Sequence, residues 1–108
     1  MGRVDHARRV VYKLAEAVQE AVPEDAVCAR FGDDEISAIL PNVGSEDAYR
    51  VAEEVLERLA RDPGDFEVDV GVVEYPANGA SAGELMTETL KALKMAKRVG
   101  GSGIVVAR

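Results

Sequence analysis

Segments with the apolar spacing of helices alternate along this chain with short runs rich in β-branched residues, and this alternation restricts the folds available to it. Residues 4–22 and 46–61 carry apolar side chains three and four positions apart, the spacing of one buried helix face. Ser45 is a plausible N-cap for the second of these helices. The buried face of that helix is predicted from six apolar side chains: Ala48, Val51, Ala52, Val55, Leu56 and Leu59.

A third helix is expected near the carboxyl end. Ser81-Ala82-Gly83-Glu84 has the spacing of a capping box, in which the first and fourth residues satisfy each other's backbone amides. Gly100-Gly101 then favours the end of this helix at about residue 98.

Four short strands complete the pattern. They are predicted over 26–31, 35–40, 66–74 and 104–107. The order is therefore α-β-β-α-β-α-β, which predicts one α/β (α+β) domain over residues 1–108 with helices packed on a mixed sheet.

Charge and hydropathy narrow the classes of function. A net charge of −7 opposes non-specific binding to a phosphate backbone, so nucleic acid is an unlikely partner. No apolar run approaches the roughly 20 residues of a membrane span, and the first residues lack an apolar signal core, so we expect a cytoplasmic protein without membrane contact. The abundance of Val, Ala, Glu and Arg, with few Gln and Asn, hints at a thermophilic source.

The turn between the first two strands carries the most informative residues. Gly32-Asp33-Asp34 joins the strands, and Glu35 follows directly, so three carboxylates stand in a row. Glycine and aspartate are favoured in turns for conformational reasons alone. However, adjacent carboxylates repel one another unless water or a cation neutralises them, and oxygen ligands of this kind suit Mg²⁺.

The sequence around this turn resembles the GGDEF (diguanylate cyclase) family of palm-type nucleotidyl cyclases. The family's signature hairpin, Gly-Gly-Asp/Glu-Glu-Phe after Arg-Tyr/Phe and before a strand ending in Leu-Pro, corresponds to Gly32-Asp33-Asp34-Glu35-Ile36. The strand Val70-Gly71-Val72, with Pro76 and Gly79 after it, is similar to the family's Ser-Ile-Gly-Val strand and Pro-x-x-Gly turn. The last helix matches through Leu85, Ala92-Leu93 and Ala96-Lys97-x-x-Gly100.

This resemblance implies a palm-like (ferredoxin-like) domain and a site for a nucleotide. Asp34 and Glu35 match the catalytic and metal-binding acids of the signature, which implies Mg²⁺ as the cofactor. Gly32, Asp33 and Lys97 match positions that contact the nucleotide, which in the family is GTP.

Several family features are not reproduced. The family has a strand before the first helix that supplies a metal-binding aspartate, followed by a Phe-Lys-x-x-Asn-Asp segment, and neither occurs in these 108 residues. The second signature glycine is Asp33, whose carboxylate adds bulk and repels phosphate. The inhibitory Arg-x-x-Asp motif falls at Pro23-Glu24-Asp25-Ala26, which lacks both key residues.

These departures favour a degenerate, non-catalytic GGDEF-like module for nucleotide binding or assembly that keeps some affinity for Mg²⁺ and GTP. The alternative is an active palm-type nucleotidyl cyclase or transferase whose two-metal site is completed by a partner chain. A structural protein without a ligand is the third possibility.

The unmatched strand also has a consequence for assembly, because in the family it lies between the second hairpin strand and the strand over 66–74. Without it, those two strands either pair directly, with the helix over 46–61 as a right-handed crossover, or leave an edge open to a strand from another chain. In both cases we expect a homo-oligomer or a complex with a protein partner.

Overall fold

The order of helices and strands agrees with the prediction. The computed structural model describes residues 3–61, 67–100 and 103–107, and the side chains of the first helix from residue 8 onward. The elements are α1 (Arg3–Ala21), β1 (Val27–Arg30), β2 (Ile36–Ile39), α2 (Ser45–Ala60), β3 (Asp69–Val72), α3 (Ala82–Val99) and β4 (Gly103–Val106). The predicted start of the third strand at Phe66 and the second glycine of the helix stop, Gly101, lie outside the described residues.

The cap predicted to open α3 is confirmed at Ser81, and the return hydrogen bond of Glu84 is shifted by one residue. The Ser81 hydroxyl accepts a hydrogen bond from the Glu84 amide at 3.2 Å. The Glu84 carboxylate in turn accepts from the Ala80 amide at 3.0 Å, one residue before the cap. Two amides without a partner inside the helix are therefore satisfied by side chains close in sequence.

The predicted N-cap of α2 is wrong. The cap is Gly44, which has no side chain to offer, and Ser45 is already the first helical residue. The Ser45 amide instead donates to the Glu74 carboxylate at 2.6 Å, across 29 positions of sequence. A Cβ on Gly44 would lie 3.3 Å from the same carboxylate oxygen, so a glycine here leaves room for this distant cap.

The core lies between α1, α2 and the segment that leads into β3. Its buried members are Ala17, Val55, Leu59 and Val68, and partly buried aliphatic side chains of α1, α2 and β3 pack against them. Within the predicted buried face of α2, Ala52, Val55 and Leu59 are buried and the other three are half-buried. The Arg58 guanidinium also bonds Glu20 of α1 at 2.7 Å.

The opposite face of β3 is covered by α3. A Cβ built on Gly71 would lie 2.9 Å from the Thr89 carbonyl oxygen and 3.0 Å from the Leu93 amide nitrogen. Strand and helix therefore approach each other backbone to backbone at this point, which only a glycine permits.

The strands form two separate pairs in the described part of the chain. β1 and β2 are antiparallel, with Val27 opposite Ile39 and Arg30 opposite Ile36. β3 and β4 are parallel, with Val70 opposite Ile104. The direct pairing of β2 with β3, one of the two arrangements expected from the sequence, does not occur in these pairs.

The backbone hydrogen bonds show which edges stay open. Phe31 donates to the Glu35 carbonyl, and because hydrogen-bonded and non-bonded pairs alternate in an antiparallel ladder, Ile36 and Ala38 direct their amides and carbonyls away from β1. Ala107 donates to the Val72 carbonyl, so Asp69 and Gly71 direct theirs away from β4. Among the described residues, neither edge has a strand partner.

Candidate functional site

The acidic turn is a tight loop closed by a backbone hydrogen bond. The Phe31 amide donates to the Glu35 carbonyl at 2.8 Å, which leaves three residues in the loop. Gly32 has φ of +90°, a conformation that side-chain-bearing residues rarely adopt. The space around a Cβ on Gly32 is empty, so the backbone conformation and not crowding requires the glycine.

Arg30 holds this turn from the end of β1. Its Nε donates to the Gly32 carbonyl at 3.0 Å, and its Nη2 donates to the Asp33 carbonyl at 2.9 Å. A guanidinium bound to the turn also places a positive charge beside a row of carboxylates, which reduces their mutual repulsion. Arg30 was not among the site residues predicted from the sequence, although its place two residues before the turn glycine was a usable signal.

The carboxylates themselves are presented to solvent. Asp33 and Asp34 are exposed and Glu35 is half-buried. Across the described side chains, those of residues 8–61, 67–100 and 103–107, no three or more from His, Cys, Asp or Glu are grouped so that they could hold a metal ion. The Asp34 and Glu35 carboxylates supply oxygen ligands, the kind that Mg²⁺ prefers in proteins.

Lys97 lies apart from the turn in the contacts that the structure records. It is exposed in the last turn of α3, a helix that packs on β3 and β4. Among the described residues, no hydrogen bond or ion pair joins Lys97 to Asp33, Asp34 or Glu35. The structure therefore brings four of the five predicted site residues together in one turn and leaves the fifth on another element.

Helices packed on short strands around an acidic hairpin turn define a palm-type α+β domain. A sequence model of one family within that class, described as "Diguanylate cyclase, GGDEF domain", matches residues 5–102. The chain belongs to this family, as its motifs predicted.

Two solved structures have the same fold. One is the GGDEF domain of TpbB (YfiN) from Pseudomonas aeruginosa, with a TM-score of 0.77 and 22% identity over 92% of this chain. The other is an EAL/GGDEF domain protein from M. capsulatus, with a TM-score of 0.76 and 23% identity over 94% of this chain. The chain spans 62% and 70% of their respective lengths. No curated protein sequence matches it.

Both structural matches confirm the α+β fold class. In the described ranges, no helix combines the length and apolar character needed to cross a bilayer.

Proposed function

We propose that this chain is a non-catalytic GGDEF-type module of the cytoplasm that binds a guanine nucleotide weakly together with Mg²⁺. The module also associates with a second copy of the chain or with a partner protein. The observation that carries the proposal is the position of the acids: Asp33, Asp34 and Glu35 leave one exposed turn, and the described residues face them with no opposing carboxylate. Of these, Asp34 and Glu35 are the residues that would contact the metal. Gly32 and Asp33 would lie beside the nucleotide.

The residue at the second signature position supports binding without turnover. Asp33 puts a carboxylate where the family has a glycine, and that side chain is exposed on the turn. A triphosphate that approaches Asp34 must therefore pass a like charge, which weakens its binding unless a cation screens the pair. Lys97 would contribute only if the nucleotide spans the distance from the turn to α3.

A binding measurement tests the proposal directly. With Mg²⁺ and GTP at about three times its Kd, we expect the free energy of unfolding to rise by about 0.8 kcal/mol, and the melting temperature by about 3–6 °C. Asp34→Asn should abolish this rise, because it removes the charge that holds the cation. Asp25→Asn, at an exposed acid of the preceding turn, is the matched control and should retain it.

Pyrophosphate release separates this proposal from the cyclase alternative. The protein incubated with GTP or ATP and Mg²⁺ should release none above the rate of a nucleotide blank. If the wild-type protein released pyrophosphate and Asp34→Asn did not, the chain would be an active enzyme and the proposal of a non-catalytic module would be wrong. A melting temperature that does not change with nucleotide at any Mg²⁺ concentration would refute nucleotide binding.

The open strand edges support the assembly part of the proposal. β2 presents Ile36-Ser37-Ala38-Ile39 without a charge or a proline, and Ile39 is 68% exposed and opposite the 60% exposed Val27. Natural proteins usually protect such an edge from pairing with another chain. We therefore expect sedimentation at about 100 μM to give a mass above the 11.5 kDa of one chain.

One substitution tests whether the β2 edge mediates this association. The Ala38 amide points away from β1, so Ala38→Pro removes a donor from the open edge and leaves the hairpin ladder intact. We expect Ala38→Pro to sediment as a monomer with an unchanged far-ultraviolet circular dichroism spectrum. A wild-type protein that stays monomeric at all concentrations would contradict the prediction.

A further inference from the structure

A groove of about 450 Å³ runs between α1 and the hairpin. Val11, Tyr12 and Ala15 of α1 form one wall. The other wall includes Cys28 and Arg30 of β1. Three consecutive residues of β1 line the groove, whereas β2 contributes only Ile36, so the groove follows β1.

The strand along this groove has a free edge. Ala29 and Val27 use their backbone groups to pair with β2, because the Phe31–Glu35 hydrogen bond sets the alternation of the ladder. Cys28 and Arg30 therefore direct their amides and carbonyls away from β2, and β1 has no second strand neighbour among the described residues. An extended peptide can add to such an edge through backbone hydrogen bonds.

The walls of the groove indicate which side chains an added strand would carry. Most of its lining is apolar, and Tyr12 is 77% exposed. A strand presents alternate side chains to one face, so every second residue of the peptide would need to be apolar.

The charges of the groove differ from those of the whole chain. The chain has 20 Asp and Glu against 13 Lys and Arg. The described lining nevertheless contains two arginines, Arg8 and Arg30, and no carboxylate. Complementarity therefore favours an occupant with acidic side chains.

We propose that this groove binds an extended, acidic segment of a partner protein, which adds to β1 as a strand and places alternate apolar side chains against α1. Its acidic residues lie near Arg8, at the α1 wall of the groove. This interaction is independent of the nucleotide proposal, since it uses β1 and α1 and none of the turn carboxylates.

The single cysteine of the chain reports on occupancy, because Cys28 lines the groove and is a free, half-buried thiol. The probe is the peptide acetyl-Glu-Val-Asp-Val-Glu-Val-amide, at up to about 1 mM with dilute protein. We expect it to slow the reaction of Cys28 with a thiol reagent about fivefold at saturation. A peptide with alternate amides N-methylated should give no protection, because it cannot donate to the strand edge. A peptide with Lys in place of Glu and Asp should also fail.

A charge reversal with a matched control tests the basic rim. Arg8→Glu should weaken protection by the acidic peptide about tenfold. Arg9→Glu changes the same charge on the next residue of α1, which does not line the groove, and should leave protection unchanged. Equal circular dichroism spectra of the two variants show that both are folded.

Three results would overturn the proposal. The first is a thiol reaction rate that does not change with any peptide, and the second is equal protection by the N-methylated peptide. The third is protection without peptide that grows with protein concentration, which would mean that a second copy of the chain covers the groove. Loss of nucleotide binding in the experiments above would leave this result unaffected.

Discussion

Gly71→Ala is expected to lower the free energy of unfolding by about 3 kcal/mol. The added Cβ would meet the Thr89 carbonyl oxygen at 2.9 Å, the Leu93 amide nitrogen at 3.0 Å and the Ala92 Cβ at 3.2 Å. Two of these atoms are helix backbone and cannot rotate away as a side chain does. The strand must separate from α3, and the contacts of β3 and β4 with that helix weaken together.

Thermal unfolding gives the measurement. For a domain of this size, a loss of about 3 kcal/mol lowers the melting temperature by more than about 10 °C, and Gly71→Val should lower it further. Gly83→Ala is the control, since it adds the same methyl group in the first turn of α3, where a Cβ meets nothing within 4 Å. We expect Gly83→Ala to melt at or above the wild-type temperature, because alanine favours the helix over glycine. If both variants melted alike, β3 and α3 would not be in the close contact described.

Glu74→Ala is expected to lower the free energy of unfolding by about 2 kcal/mol. The Glu74 carboxylate accepts from the Ser45 amide at 2.6 Å, and a negative charge at the first turn of α2 also interacts favourably with the helix dipole. The backbone of Glu74 is held as well. Its backbone N–H donates to the side-chain Oδ1 of Asn78 at 2.7 Å, and the backbone N–H of Asn78 donates to the Glu74 carbonyl at 2.8 Å. The carboxylate therefore connects the turn after β3 with the start of α2.

Glu74→Gln separates the hydrogen bond from the charge. Glutamine keeps an oxygen that accepts from the Ser45 amide, so Glu74→Gln should lower the free energy of unfolding much less than Glu74→Ala does. Hydrogen exchange gives a local measurement, because the Ser45 amide should lose protection in Glu74→Ala and keep part of it in Glu74→Gln. Equal stability of the alanine variant and the wild-type protein would show that solvent caps α2 equally well.

The local features of the fold were predictable because their causes lie within a few residues. The observed helices begin and end within one or two residues of the predicted positions. Their ends depend on local devices such as the Ser81–Glu84 capping box and the glycine at position 100, whose φ is +78°. The hairpin followed from two short strand-like runs on either side of the turn residues Gly32-Asp33-Asp34.

The predictions that failed or stayed open depend on residues far apart in sequence. Ser45 had the side chain of an N-cap, yet Glu74 occupies that role from 29 positions away. The family resemblance assigned Lys97 to the same nucleotide as the turn acids, yet α3 packs on the other pair of strands. Arg30 was visible in the sequence, but only the folded turn brings its guanidinium to two successive carbonyls.

By itself, the sequence determined the succession of elements, the family and the acidic turn, because helix periodicity, caps and turn residues act over distances of a few positions. Only the tertiary structure decided that β2 and β3 stay apart, that a carboxylate from the turn after β3 caps α2, and that α1 leaves a groove along β1. These features depend on how the helices pack against the strands, and packing is set by contacts between distant residues whose free energies no local pattern contains.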